Sequence, residues 1–268
     1  MLPTRFWTEM ATTDFRSADM ASVIAILPVA AIEQHGPHLP VGTDALIMDG
    51  YLARLVARLP EEAPVLILPV QTVGTSPEHL GFPGTLTLTP ETALRAWIEI
   101  GESVARAGCR KLVVANSHGG NNALVEILAR ELRVRRNMLV APAFWHGFGY
   151  PEGLFSAREL RHGIHAGDIE TSLMLAFAPG RARLAEAANF TPASVEMENR
   201  FRLLRATGPR GFGWMSGDLS LSGAMGDATL ASADKGEAAA AHGVAAFIDL
   251  LRDIEAFDLA RLTDAARP

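Results

Sequence analysis

The sequence has a single cysteine, Cys109, among its 268 residues. No disulfide can close within the chain, and a metal site built from cysteines is excluded. No apolar run approaches the ~20 residues that a membrane helix needs. Residues Met1 to Met20 carry Arg5, Glu9, Asp14, Arg16 and Asp19 without an apolar core, so they do not read as a signal peptide. The expected compartment is the cytoplasm, and no membrane partner is expected. Basic charge is also scarce: 24 lysines and arginines stand against 30 acidic residues, for a net charge of -6. Such a surface is poorly suited to neutralising a phosphate backbone, so nucleic acid is not an expected partner. The one dense basic cluster, Arg130 to Arg136, reads as the solvated end of a helix.

What is present is ordinary globular material, 49% apolar and 20% charged. A chain of this length buries roughly three quarters of its extended surface as one unit. No repeat, linker or low-complexity segment divides it, so one domain over 1–268 is expected. Four apolar runs read as strands: Val23 to Val29, Val65 to Val70, Leu112 to Ala115 and Met138 to Ala143. They are apolar at nearly every position, as strands covered on both faces are. Helical periodicity fills the gaps, over Asp44 to Leu59, Pro90 to Ala107 and Asn121 to Arg135. Thr89 and Pro90 read as an N-cap and first helical residue. Further helices are expected over Asp168 to Ala178, stopped by Pro179-Gly180, and over Asp234 to Ile254. Residues 181–231, rich in glycine, serine and turn signals, yield no element. The class is α/β, three layers with a mainly parallel sheet.

Open α/β sheets carry their sites in the loops after the carboxyl ends of the strands. Here those loops hold seven of the eight histidines, or lie just beyond them in His162 to Glu170. Glu33 and His35 are two apart, so on an extended chain they point the same way. Asp44 opens the next helix, where the dipole supports a carboxylate. His118 follows the third strand. Carboxylates gathered at one spot repel each other, and a divalent cation, or two, removes the conflict. Oxygen and imidazole ligands without thiolate suit zinc, manganese or iron. The plain alternatives are a pure helix cap for Asp44 and a first-turn carboxylate for Glu170. For His38, His79, His146 and His162 a structural role is favoured over a ligating one. Ser117-His118-Gly119-Gly120-Asn121 could hold an anion on its backbone, but it lacks a nucleotide-loop lysine, and Ser117 lacks the context of a nucleophile.

Taken together, these residues resemble the creatininase family of metal-dependent amide hydrolases. The resemblance rests on Ile26-Leu27-Pro28-Val29 leading into Glu33-x-His35-Gly36-x-His38-Leu39-Pro40 and Thr43-Asp44. It continues through Gly84-Thr85, Asn116-x-His118-Gly119-Gly120-Asn121, His165-Ala166-Gly167-x-x-Glu170-Thr171-Ser172, Gly226-Asp227 and Ala231-x-Ala233-x-Lys235-Gly236. It implies a three-layer α/β/α domain with two divalent metal ions per chain. By the resemblance, Glu33 and His118 bind one metal, His35 binds the other, Asp44 bridges, and His165 shuttles a proton. A homo-oligomer, often a hexamer, is implied as well. Gly119-Gly120 replaces a Tyr-Glu pair whose glutamate is a ligand in creatininase, and Glu170 is the candidate replacement. Arg161 stands where a pocket tryptophan is expected, while Trp145 matches a second one. The His-Gly-Gly-Asn version is shared with branches acting on a formamide and on a peptide precursor of a redox cofactor.

The expected chemistry is hydrolysis of a linear or cyclic C–N amide of a small molecule by metal-activated water. Trp145, Gly119, Gly120 and Ser76 are the candidate substrate contacts. Two alternatives remain at this stage: a non-catalytic protein that binds a small ligand, and a metal-dependent phosphoesterase with Arg161 as its one available phosphate-holding cation.

Overall fold

The first apolar run forms strand β1, Ile24–Val29, and all six of its side chains are buried. Ile24 and Ile26 belong to one core, Ala25 and Leu27 to another on the opposite face. That two-sided burial is why the run shows no polar alternation. The computed structural model describes residues 2–263 of the chain. Residues 1 and 264–268 of the expected 1–268 domain lie outside the described residues.

In chain order the elements are α1 (Thr12–Ser17), β1, α2 (Thr43–Arg58), β2 (Val65–Ile67), α3 (Pro90–Arg106), β3 (Lys111–Asn116), α4 (Asn122–Arg136), β4 (Leu139–Phe144), α5 (Ala157–His162), α6 (Asp168–Phe177), β5 (Asn189–Phe190), α7 (Ser194–Arg200), α8 (Ser216–Leu219), β6 (Gly226–Asp227) and α9 (Ala233–Ala256). Thr89 caps α3 by accepting the Thr92 N–H at 3.3 Å, with Pro90 at the first helical position. Asn137, left-handed at φ 51°, closes α4. Element ends agree with expectation to within two residues, except in β2. That strand stops at Ile67 instead of Val70: Leu68 still donates to the Ile26 carbonyl, but Pro28 of β1 has no N–H to return, and the next donor to β1 is Gln71, one residue out of step.

The main sheet is parallel throughout, in the order β2-β1-β3-β4. Buried side chains of α2, α6 and α9 cover one face; those of α3 and α4 cover the other. The result is the expected α/β/α sandwich. From β1 the chain winds first toward β2 and then crosses to β3 on the other side. The loops after β1 and β3 therefore part at a crevice, the switch point where open sheets hold ligands. Val29, Asn116 and Phe144 are in register, so these strand ends open at one level.

Residues 181–231 do contain structure. β5 pairs antiparallel with β6, and Ala206, Leu219 and Met225 form a small core of their own. Met225 exchanges two backbone hydrogen bonds with His165, at 2.6 and 3.2 Å. The segment thus anchors a residue of the site. No helix among the described residues is long and apolar enough to cross a membrane.

Helix α9 packs on α6 through Gly236, where an added Cβ would run into the Ser172 carbonyl. Backbone cannot yield as a side chain can. Gly236→Ala is expected to destabilise the protein by about 1–3 kcal/mol. Gly217→Ala, facing open space, should stay within about 0.5 kcal/mol. Urea unfolding of the metal-free protein measures both.

Candidate metal centre

Three loops bring their acids and imidazoles to the crevice. Glu33 and His35 share one side of the loop after β1, as their spacing predicts. Gln34 between them turns away toward Ser216 and Gly223. Asp44, in the first turn of α2, does not cap its helix: the cap position is Gly42, and no side chain caps there. Its carboxylate faces the histidines instead, 1% exposed. His118 arrives from the end of β3. His165 and Glu170 come from the turn into α6.

The distances form two groups that share Asp44. On one side His118 Nδ1 lies 3.3 Å from Glu33 Oε1 and 3.5 Å from Asp44 Oδ2. On the other, His35 Nε2 lies 3.7 Å from Asp44 Oδ1 and 3.7 Å from Glu170 Oε2. Ligands held 2.0–2.1 Å from a tetrahedral zinc stand about 3.3 Å apart, so these separations suit a cation on each side. Glu33 Oε2, His35 Nε2 and Asp44 Oδ2 are buried without a hydrogen-bond partner. Orphaned acceptors of that kind are costly unless something absent from the protein atoms satisfies them.

The imidazoles are prepared for the same task. His35 donates Nδ1–H to the Glu33 carbonyl at 3.0 Å, His118 donates Nε2–H to the Thr75 carbonyl at 2.9 Å, and His165 donates Nε2–H to the Gln34 carbonyl at 2.5 Å. Each ring has one nitrogen tied to the backbone and the other turned to the carboxylates. Such ties fix the tautomer of a metal-binding histidine. The donor set fits divalent metal.

Without cations, protons take their place. Burial works against charging His118, but Glu33, Asp44 and Glu78 outweigh it and raise its pKa to about 10. Burial likewise opposes charge on His35, and Asp44, Glu170 and Glu33 carry it up to about 9. Burial raises Asp44 to about 6 against the pull of His35. Glu33 is held well below the usual range: burial resists, and His118, His165 and His79 prevail. Burial and the neighbouring His35 lower His165 to about 4; burial and His165 lower His79 to about 3.

Above the centre lies a cavity of about 850 Å³, lined by Glu33, His118, His165 and Glu170 at its floor and by Tyr150, Phe155 and Trp214 among its walls. A model of the creatininase family, described as creatinine amidohydrolase, matches residues 8–251. The chain belongs to the creatininase family. It is 31% identical over 219 residues to the mycofactocin precursor peptide peptidase of Mycobacterium tuberculosis (strain CDC 1551 / Oshkosh), covering 79% of this chain and 77% of that one. It is 28% identical over 250 residues to the creatinine amidohydrolase of Pseudomonas putida, covering 86% and 89%. A crystal structure of creatinine amidohydrolase superposes with a TM-score of 0.75 at 26% identity, covering 96% of this chain and all of the other. The protein is therefore an amidohydrolase. Solved creatininases include a manganese form and a zinc-zinc form.

In this creatininase-family chain the fold gathers Glu33, His35, Asp44, His118, His165 and Glu170 at one place. Gly119, Gly120 and Trp145 line the cavity. Trp145 is mostly core, stacked on Tyr51 at 4.0 Å, with its Nε1–H unpartnered. Ser76 is a correction. It is fully buried behind His118, with its N–H on Thr87 and its hydroxyl 3.4 Å from the imidazole, and it is not on the cavity wall. Ser117 donates to the Asp44 carbonyl at 2.9 Å. His38 Nε2 lies 3.0 Å from the Thr171 hydroxyl, with Nδ1 buried and unpartnered, and His162 bonds Ser194 and Glu198. Arg161 is paired with Glu198 at 2.7 Å, so the cation that a phosphoesterase would need is already engaged.

The sequence favours a structural role for His79 and assigns none to Glu78, yet both stand beside the centre. His79 Nε2 lies 3.4 Å from Glu33 Oε1, and Glu78 Oε1 lies 3.8 Å from His118 Nε2. The available signal was their place in a loop after β2, at the same rim. Glu78 fits because residue 120 is glycine: a Cβ there would strike the Glu78 carboxylate, the His118 ring and the Thr75 carbonyl.

His35 and His118, charged at neutral pH when metal-free, must lose protons before ligating. Zinc binding should release protons and tighten as pH rises between about 6 and 8, below both raised pKa values. Calorimetry in buffers of different ionisation enthalpy reads this, and a pH-independent affinity with no proton release contradicts it.

Proposed function

We propose that this amidohydrolase cleaves a linear or cyclic C–N amide of a small molecule at a centre of two divalent ions, zinc, manganese or iron. Glu33 and His118 would hold one ion and His35 and Glu170 the other, with Asp44 placed to serve both. The reading is supported chiefly by the paired groups that meet at Asp44, each with a buried atom lacking a partner. Bound there, such ions supply Lewis acidity, lowering the pKa of water to about 7 and polarising a carbonyl.

The chain's own groups do the rest. His165 is the proton carrier. Its Nε2–H is fixed on the Gln34 carbonyl, so Nδ1 is the atom free to take and return a proton, 3.6 Å from Glu33 Oε1. Its depressed pKa keeps the ring neutral and ready to accept. It passes that proton to the departing nitrogen. Gly119 leaves the cavity mouth beside His118 clear of a side chain, and Trp145 contributes an edge of its ring to the cavity lining.

Assembly into a homo-oligomer, a hexamer by family resemblance, belongs to the same proposal. Leu203, Leu204, Phe212 and Leu221 are exposed apolar surface that a second copy would bury. Light scattering of the purified protein should give a multiple of 28.7 kDa, and a monomer mass overturns it.

His165→Ala is expected to keep its metal and lose about 10²–10⁴ in kcat, whereas His35→Ala loses metal on elemental analysis. Turnover of a panel of formamides, lactams, dipeptides and phosphate esters, abolished by chelator and restored by zinc or manganese, tests the whole reading. Cleavage of phosphate esters alone, or of nothing, sinks it.

A further inference from the structure

Gln34 stands between Glu33 and His35, and its amide is locked. Oε1 accepts the Gly36 N–H at 2.9 Å, and Nε2 donates to the Gly223 carbonyl at 3.1 Å. Exchanging the two atoms would set donor against donor and oxygen against oxygen, so the backbone fixes the orientation. Nε2 also lies 2.7 Å from His79 Nδ1, with Ser216 Oγ further off at 3.3 Å. His79 Nδ1 must therefore accept. A neutral imidazole that accepts at Nδ1 carries its hydrogen on Nε2, the atom that faces Glu33 Oε1 at 3.4 Å.

We propose that His79 is a positioning residue: a neutral Nε2–H donor, its tautomer dictated by Gln34, that holds the Glu33 carboxylate in place for metal without itself being a ligand. The inference rests on the reading of Glu33 as a ligand. Glu33, His79 and His165 offer three mutually close atoms that could pass for a metal site, but the hydrogen on His79 Nε2 removes that nitrogen from it. His79 also stacks against His165, ring centres 4.4 Å apart. The side chain of Gln34 thus orients one of these rings and its carbonyl the other. Gly223, at φ +81°, makes room for the arrangement, since a Cβ there would collide with the Gln34 amide.

Outer hydrogen bonds to metal-binding groups typically matter by 10–100-fold in metal affinity or activity. In competition against a chromogenic chelator, His79→Ala should bind zinc about 10–100-fold more weakly than the unaltered protein. His79→Gln, which keeps both an acceptor and an N–H donor, should recover part of the loss. On the unaltered protein carrying isotope-labelled histidine and an NMR-active cadmium isotope, His35 and His118 should show coupling to cadmium. His79 should show none and should give the Nε2–H tautomer pattern. This measurement decides alone if His79→Ala does not fold. Cadmium coupling to His79, or the Nδ1–H tautomer, overturns the inference. So does unchanged zinc affinity in a folded His79→Ala. If the unaltered protein binds no zinc, the metal centre falls and this inference with it; tight zinc in both proteins removes the role of His79 alone.

Discussion

Acids buried at one spot must be given positive charge, and the crevice of this protein is arranged around that requirement. Glu33 and Asp44 are almost wholly removed from water, and Glu170 closes on the same imidazole as Asp44. Isolated carboxylates in such a place would hold protons. Glu33 does not, because His118, His165 and His79 surround one of its oxygens. The histidines in turn are not free to turn away, since backbone carbonyls hold the far nitrogens of His35, His118 and His165. A rigid ring of donors with orphaned inner atoms fits doubly charged cations better than it fits protons.

Where this ring stands follows from the sheet. Winding from β1 to β2 and then back across to β3 leaves a gap between the loops that leave β1 and β3. Glu33 and His35 occupy one lip of the gap and His118 the other. The segment 181–231 is far from the sheet in sequence, yet Met225 pairs its backbone with His165 and Gly223 closes over Gln34. What looks like a loose insertion is the wall that fixes the imidazoles on that side.

This explains which parts were legible beforehand. Strands β1 and β3 and the long helices announce themselves by patterns that depend on burial, and burial here is two-sided and strong. Glu33, His35, Asp44 and His118 could be read because spacing and strand ends put them together. The elements of 181–231 could not: β5 and β6 are two residues each, held by contacts to the site, with no periodicity to betray them. His79 was illegible for a related reason. A single histidine in a loop acquires meaning only from Gln34 and Glu33, 45 and 46 positions away in the sequence. Ser76 misled because a residue past a strand end can face inward as easily as out, and here its neighbours Thr87 and His118 take it in.

The glycine pair after His118 changes what the centre can accept. A side chain at Gly119 would project into open space, so its absence widens the mouth of the cavity. One at Gly120 would occupy the place of the Glu78 carboxylate. The glutamate and the glycine are thus a matched choice, trading a group on one loop for a group on another. Arg161, near the end of α5, lines the cavity but is paired with Glu198. His165 at the floor is neutral, its pKa lowered by burial and by His35, so the aromatic walls of Tyr150, Phe155 and Trp214 offer an occupant shape more than charge.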